Sequence, residues 1–203
     1  TLEGCRKAVD IAETCPGVFA AVGIHPHDAR EIVPETYDAL KAMARRDKVV
    51  AWGEIGLDYY RNLSPRETQR ERFREQLALA AEADLPVIIH DREAHAETLA
   101  ALEAWQGRRR GVVHCFSGDW AMARRCLDLG FYISIAGPIT YPKNEGLRAI
   151  ARRIPPDRLL VETDAPYLAP QTLRGRRNEP AYVTHTAATI ADAMRSEKRS
   201  SPC

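Results

Sequence analysis

Short apolar runs alternate with longer amphipathic stretches along most of the chain. The runs are rich in Val and Ile and lack a strict alternation of polar and apolar positions, which is typical of strands buried on both faces. Strands that alternate with helices throughout the chain predict a parallel α/β architecture. The runs lie at residues 18–24, 49–52, 86–89, 111–113, 131–135 and 159–161.

The stretches between the runs carry signals for the starts and ends of helices. Ser64 and Pro65 predict a capping serine followed by a proline at the first helical position. Pro34 and Pro180 are placed to open helices in the same way, and Gly130 predicts a left-handed stop.

Six predicted strands are fewer than the eight of a (β/α)₈ barrel, which typically takes about 250 residues. The tail from residue 196 onwards is polar and lacks the apolar spacing of a closing helix. The pattern by itself is equally compatible with an incomplete barrel and with a complete open sheet.

The composition and the net charge exclude few classes of function. The 203 residues are 45% hydrophobic and 28% charged with a net charge of +1, so no bulk electrostatic argument favours nucleic acid, a membrane or an acidic partner. Five scattered cysteines without a Cys-x-x-Cys pair fit a reducing compartment, and we expect a cytoplasmic protein. No apolar stretch approaches the roughly 20 residues of a membrane span.

Residues able to bind a metal follow the apolar runs. In a parallel barrel the ends of the strands share the face on which active sites form. One such histidine or carboxylate is more often structural, but several at successive strand ends favour a divalent-metal site with nitrogen and oxygen ligands. The residues in these positions are His25, Glu54, His90, His114 and Asp164.

Six short motifs occur in a definite order. They are Gly-Ile-His-Pro-His at 23–27, Gly-Glu-Ile-Gly-Leu-Asp-Tyr at 53–59, Val-Ile-Ile-His at 87–90, Val-His-Cys-Phe-Ser-Gly at 113–118, Leu-Val-Glu-Thr-Asp-Ala-Pro-Tyr-Leu at 160–168 and Arg-Asn-Glu-Pro at 177–180. From Thr1 to about Met194, this ordered set resembles the TatD family of metal-dependent deoxyribonucleases.

The resemblance implies a (β/α)₈ TIM barrel as a single domain over residues 1–203. About six of the eight strands would be present, the first two would be missing and the last helix would be shortened. The His-x-His pair that many family members carry on their first strand has no counterpart here, which leaves open a non-catalytic form.

The resemblance also implies two divalent ions, Mg²⁺, Mn²⁺ or Zn²⁺, in the complete enzyme. Glu54 would bridge both ions, His90 and His114 would hold one, and Asp164 would bind the other and orient the attacking water. His25 would be a catalytic histidine that touches a phosphate or the leaving group.

Two further residues near these ligands admit structural or functional roles. Arg92 could bind a substrate phosphate through two hydrogen bonds or pair with a carboxylate of the site. Asp58 is expected to brace the loop after Glu54.

The function that the resemblance implies is a DNA phosphodiesterase that acts as a 3'–5' exonuclease, preferably on single strands. The alternatives are a related metal hydrolase of a carboxylic ester, lactone or amide, and a non-catalytic family member. We expect DNA as the substrate, no membrane association and no obligate protein partner.

Overall fold

The structure, a computed structural model, describes residues 1–107 and 110–200, with side chains described to residue 195. The chain divides into two compact units, Thr1–Val112 and Val113–Cys203. The units are described one at a time, and the assignment of residues 1–203 to a single domain stays a prediction.

The first unit alternates helices with parallel strands. Strand β1 pairs with β2 and β2 pairs with β3, all in parallel. At the end of the unit, the N–H of Val87 donates to the carbonyl of Arg110 over 3.1 Å, just before β4 begins. The elements are α1 (Leu2–Thr14), β1 (Ala20–Val22), α2 (Pro34–Ala44), β2 (Val49–Asp58), α3 (Arg66–Glu82), β3 (Val87–Arg92), α4 (His95–Ala104) and β4 (Gly111–Val113), with a 3₁₀ helix at Pro26–Glu31.

The core of this unit lies on both faces of its central strand. Ile55, Gly56, Leu57 and Asp58 are consecutive residues of β2 and all are buried, although successive side chains of a strand point to opposite faces. Phe73 and Leu77 of α3 are equally buried at helical spacing. The expectation of strands covered on both sides is therefore confirmed here.

Three local expectations in this unit were wrong. Strand β3 continues to Arg92, so His90 lies inside a strand and not at its end. Strand β2 extends to Asp58, well beyond the apolar run, so Glu54 lies inside a strand and not at its end. Ser64 does not cap α3, because Pro65 is the N-cap residue. Instead, the Ser64 hydroxyl donates to the carbonyl of His27 over 2.8 Å and accepts from the N–H of Arg30 over 3.1 Å. These two bonds hold the 3₁₀ helix at Pro26–Glu31 in place.

The second unit continues the same alternation. Strands β5 and β6 pair in parallel, and Gly130, with φ +90°, ends the helix before β5 as predicted. The last helix continues to Ser200, further than the polar residues from 196 onwards indicated, and residues 201–203 of that tail lie outside the described part. The elements are α5 (Trp120–Asp128), β5 (Tyr132–Ile135), α6 (Glu145–Arg153), β6 (Leu159–Val161) and α7 (Val183–Ser200).

All six apolar runs are strands, and the helices between them make an α/β fold. Among the described residues, no helix is both long enough and apolar enough to cross a membrane.

Candidate metal centre

A bulge in β2 places Glu54 beside β3. Gly53 is paired with Ile88 and Ile55 with Ile89, so Glu54 is the extra residue between two paired positions. Such bulges re-aim a side chain and are common next to active sites.

Glycines allow the two strands to approach closely around this bulge. Gly56 has φ +146°, and a Cβ atom there would lie 1.9 Å from the carbonyl oxygen of His90. A Cβ atom on Gly53 would lie 2.6 Å from that of Ile88. Glycine is therefore required on both sides of Glu54.

The close approach brings three potential ligands together in the first unit. Glu54 Oε1 lies 2.6 Å from Nδ1 of His90 and 3.4 Å from Nε2 of His25. One ligand atom from each of the three residues lies within 4.8 Å of the others. Bonds of about 2.0–2.2 Å from nitrogen and oxygen to one ion are compatible with this spacing. The donor set therefore fits a divalent ion.

His25 enters this group from the turn after β1. Because a residue before proline is held extended, His25 caps the following 3₁₀ helix, and its Nδ1 accepts a 3.1 Å hydrogen bond from the N–H of His27. Burial lowers the pKa of His25, while the hydrogen bond with Glu54 opposes that shift. In the neutral ring, an occupied Nδ1 leaves the hydrogen on Nε2. His25 therefore directs an N–H group at Glu54.

The carboxylate of Asp58 contacts both His27 and His90. Its Oδ2 lies 2.8 Å from Nε2 of His27 and 3.2 Å from Nε2 of His90, and its Oδ1 accepts a 2.7 Å bond from the N–H of Arg61. Burial would raise the pKa of Asp58, but the bonds from His90, Arg61 and His27 outweigh it and hold that pKa below its ordinary value. The bond with Arg61 braces the turn after β2, which begins beyond Asp58 and not directly after Glu54 as expected. The contacts with two histidines were missed, and their only sequence signal is a second carboxylate, after Glu54, in a strand whose other residues are uncharged.

In the second unit, His114 directly follows β4 and meets a carboxylate that sequence reasoning missed. Its Nδ1 lies 3.4 Å from Oε2 of Glu162, and the N–H of Cys115 donates to the other oxygen of that carboxylate. His114 is buried, with 9% of its side chain exposed. Glu162 therefore restrains one edge of the imidazole.

Asp164 lies in the loop after β6, three residues beyond the strand end. It has φ +57°, in the left-handed region that few residues other than glycine adopt. Such backbone strain persists only where the surroundings enforce it, and it is concentrated at functional sites. The buried Asn178 provides that restraint by donating 2.6 Å hydrogen bonds to the carbonyls of Thr163 and Tyr167.

Arg92, the last residue of β3, stacks on an aromatic ring. Its guanidinium carbon lies 3.9 Å from the centre of the Tyr60 ring, and 56% of Tyr60 is exposed. Nearby, the buried Asp91 accepts hydrogen bonds from His95 and Thr98. The stacking leaves the planar guanidinium group at the surface, two residues after His90.

Comparison with known proteins identifies the family. The family described as "TatD related DNase" matches residues 1–200. The chain belongs to this family. TatD proteins are metal-dependent hydrolases that act on ester bonds, and the chain is a hydrolase of that type.

Relatives and solved structures agree with this assignment. "Uncharacterized metal-dependent hydrolase YabD" of Bacillus subtilis is 42% identical over 188 residues, which cover 92% of this chain and 73% of the relative. "3'-5' ssDNA/RNA exonuclease TatD" of Klebsiella pneumoniae is 43% identical over 192 residues, with coverage of 92% and 73%. The crystal structure of YJJV, a TatD homologue from Escherichia coli, superposes with a TM-score of 0.90 at 34% identity over 95% of this chain and 75% of that one. The fold is therefore that of the TatD (β/α)₈-barrel class, with six strands in the described part of the chain.

Proposed function

We propose that this TatD protein is a DNA phosphodiesterase that shortens single strands from the 3' end. The observation that carries the proposal is the cluster of Glu54, His90 and His25 in a chain of this family, because one potential ligand atom of each residue lies within 4.8 Å of the others. The name of the Klebsiella relative supports the choice of a single-stranded substrate and the direction of digestion.

We assign the metal ligands as Glu54 and His90 in the first unit and as His114 and Asp164 in the second. The first pair is supported by the 2.6 Å approach of Glu54 to His90. For the second pair, the support is the family resemblance together with the restraint of His114 by Glu162 and the unusual backbone at Asp164. Bound divalent ions of the Mg²⁺, Mn²⁺ or Zn²⁺ type activate a water molecule and stabilise the charge that develops on the phosphate.

His25 acts on the substrate as a hydrogen-bond donor in this proposal. Its Nδ1 is occupied by the backbone of His27, so Nε2–H, which faces Glu54 in this structure, is the group that would donate to a phosphate oxygen or to the leaving oxygen when substrate binds. Donors aimed at developing negative charge typically contribute about 10²–10³-fold in rate.

Arg92 binds a phosphate of the strand. Its stacking on Tyr60 restrains the guanidinium plane while its N–H groups remain available at the edge. A guanidinium matches a phosphate with two parallel hydrogen bonds, which lysine does not reproduce. Arg92→Lys is expected to raise KM with little change in kcat, measured with a single-stranded oligonucleotide.

The compartment is part of the same proposal. In the described part of the chain, Cys5 and Cys15 are free thiols. Free thiols are usual in the reducing cytoplasm, where we expect the protein to act.

The proposal is tested by incubating the purified chain with a single-stranded oligonucleotide labelled at its 5' end. Mg²⁺, Mn²⁺ or Zn²⁺ should restore activity after EDTA treatment, and the product ladder should shorten progressively from the 3' end. Glu54→Gln should abolish the ladder, whereas Glu35→Gln, on the exposed first turn of α2, should leave it unchanged.

A parallel assay with a carboxylic ester distinguishes the alternative hydrolase. Metal-dependent ester cleavage without any cleavage of DNA would contradict the proposed substrate. Metal binding without turnover of either substrate would identify a non-catalytic family member.

A further inference from the structure

His90 lies between two carboxylates. Its Nδ1 faces Glu54 at 2.6 Å and its Nε2 faces Asp58 at 3.2 Å. The two carboxylates differ in environment, since 32% of the Glu54 side chain is exposed but only 1% of that of Asp58. The accessible side of the ring is therefore the Nδ1 side.

An imidazole that binds a metal uses an unprotonated nitrogen and keeps its hydrogen on the other. That second nitrogen usually donates to a carboxylate or a carbonyl, which fixes both the tautomer and the ring orientation. Asp58 occupies this position for His90.

The carboxylate of Asp58 is itself held by several bonds. Its oxygens meet the N–H of Arg61 and the ring of His27, and its backbone is held by Gln69, whose Oε1 accepts from the N–H of Asp58 over 2.8 Å. The residue is completely buried. A buried, fully bonded carboxylate can hold a neighbouring ring in one orientation.

We propose that Asp58 is a positioning residue for the metal centre, which holds His90 with Nε2–H towards Asp58 and Nδ1 towards the ion. This inference rests on the proposed assignment of His90 as a ligand. It predicts that Asp58 controls metal affinity without touching the ion or the substrate.

Metal affinity provides the first test, measured on the full chain by isothermal titration with Mn²⁺. Asp58→Asn should weaken binding by about 10–100-fold, as the loss of such a partner typically does. Asp91→Asn is the matched control, because Asp91 is also a buried aspartate bonded to a histidine, and it lies next to His90 in β3. The control should bind Mn²⁺ like the wild type.

Unchanged affinity in a folded Asp58→Asn protein would overturn the proposal, and so would an equal loss in both variants. Circular dichroism and the melting temperature establish that the variants are folded.

A second measurement on the wild-type protein remains decisive if Asp58→Asn does not fold. Nitrogen-15 spectra of the Zn²⁺-loaded chain should show the His90 hydrogen on Nε2, and a hydrogen on Nδ1 would contradict the inference. If the wild-type protein cleaves DNA but carries the His90 hydrogen on Nδ1, the proposed function stands and the proposed role of Asp58 is wrong. Wild-type protein that binds no divalent ion would contradict both.

Discussion

A buried amide side chain holds the backbone beside the candidate site residues in each unit, but the two amides support different kinds of structure. In the first unit, Gln69 accepts from the N–H of Asp58 and donates to the carbonyls of Asp58 and Ser64. In the second, Asn178 donates to the carbonyls of Thr163 and Tyr167.

The difference lies in what else supports each segment. Glu54 and His90 belong to paired strands, so the ladder of β2 and β3 holds them even without Gln69. Asp164 has a left-handed backbone, and Asn178 lies further along the same connection between β6 and α7. Ligands on strands are positioned more precisely than ligands on loops. A strand ladder therefore supports Glu54 and His90, whereas Asp164 lies in a loop to which the Asn178 side chain is bonded.

The largest effect is expected at Asp164. Asp164→Asn keeps the shape of the side chain but removes its negative charge and basicity, so kcat should fall by about 10²–10⁴-fold, as for the loss of a general base. Substrate affinity should change little. Steady-state kinetics with a single-stranded oligonucleotide at confirmed metal occupancy would measure both. The exposed Asp157 offers a control, since Asp157→Asn should behave like the wild type. Wild-type kcat in the metal-loaded Asp164→Asn protein would rule out this role.

The second largest effect is expected at His25, where the substitution should lower kcat alone. His25→Ala removes the aimed Nε2–H group, and kcat should fall by about 10²–10³-fold. Because His25 is assigned as a donor and not as a ligand, Mn²⁺ affinity should be unchanged. His185→Ala, which changes a histidine of α7, is the control. A large loss of Mn²⁺ affinity in His25→Ala would instead make His25 a third ligand beside Glu54 and His90.

Substitution of the two buried amide residues, Gln69 and Asn178, compares the two units directly. Asn178→Ala and Gln69→Ala each leave buried backbone groups unpaired, so each should lower the free energy of unfolding by about 1–3 kcal/mol. Only Asn178→Ala should also reduce kcat, by about 10–100-fold, because a catalytic group displaced by about 1 Å loses up to that much. Chemical denaturation and kinetics at full metal occupancy would test this pair. A greater loss of kcat in Gln69→Ala would reverse the comparison.

The smallest effect is expected at Glu162. Its 3.4 Å distance from His114 is longer than that of Asp58 from His90, and 23% of its side chain is exposed. Glu162→Gln should weaken Mn²⁺ binding by about 10-fold, at the low end for the loss of such a partner. Isothermal titration of Glu162→Gln and Asp58→Asn with Mn²⁺ would show which of the two carboxylates contributes more to metal affinity. A greater loss of affinity in Glu162→Gln would show that the second unit, and not the first, contributes the more important support.

The sequence by itself determined the class of fold. Each of the six apolar runs contains a strand, as the pattern predicted. Burial on both faces is confirmed for β2 but wrong for β6, where Leu160 and Val161 are 42% and 43% exposed. The ordered motifs also identified the TatD family, and with it the metal-dependent chemistry. These features are local, and they can be read without knowing which segments meet.

Only the tertiary structure decided how the side chains are aimed. The bulge at Glu54 depends on a strand pairing that no local pattern records. The hydrogen bonds of Asp58 with His27 and His90 join three separate segments of the chain. Sequence periodicity predicts which face of an element is buried, but not which distant partner satisfies a buried polar atom, since that depends on strand register and on close backbone approach.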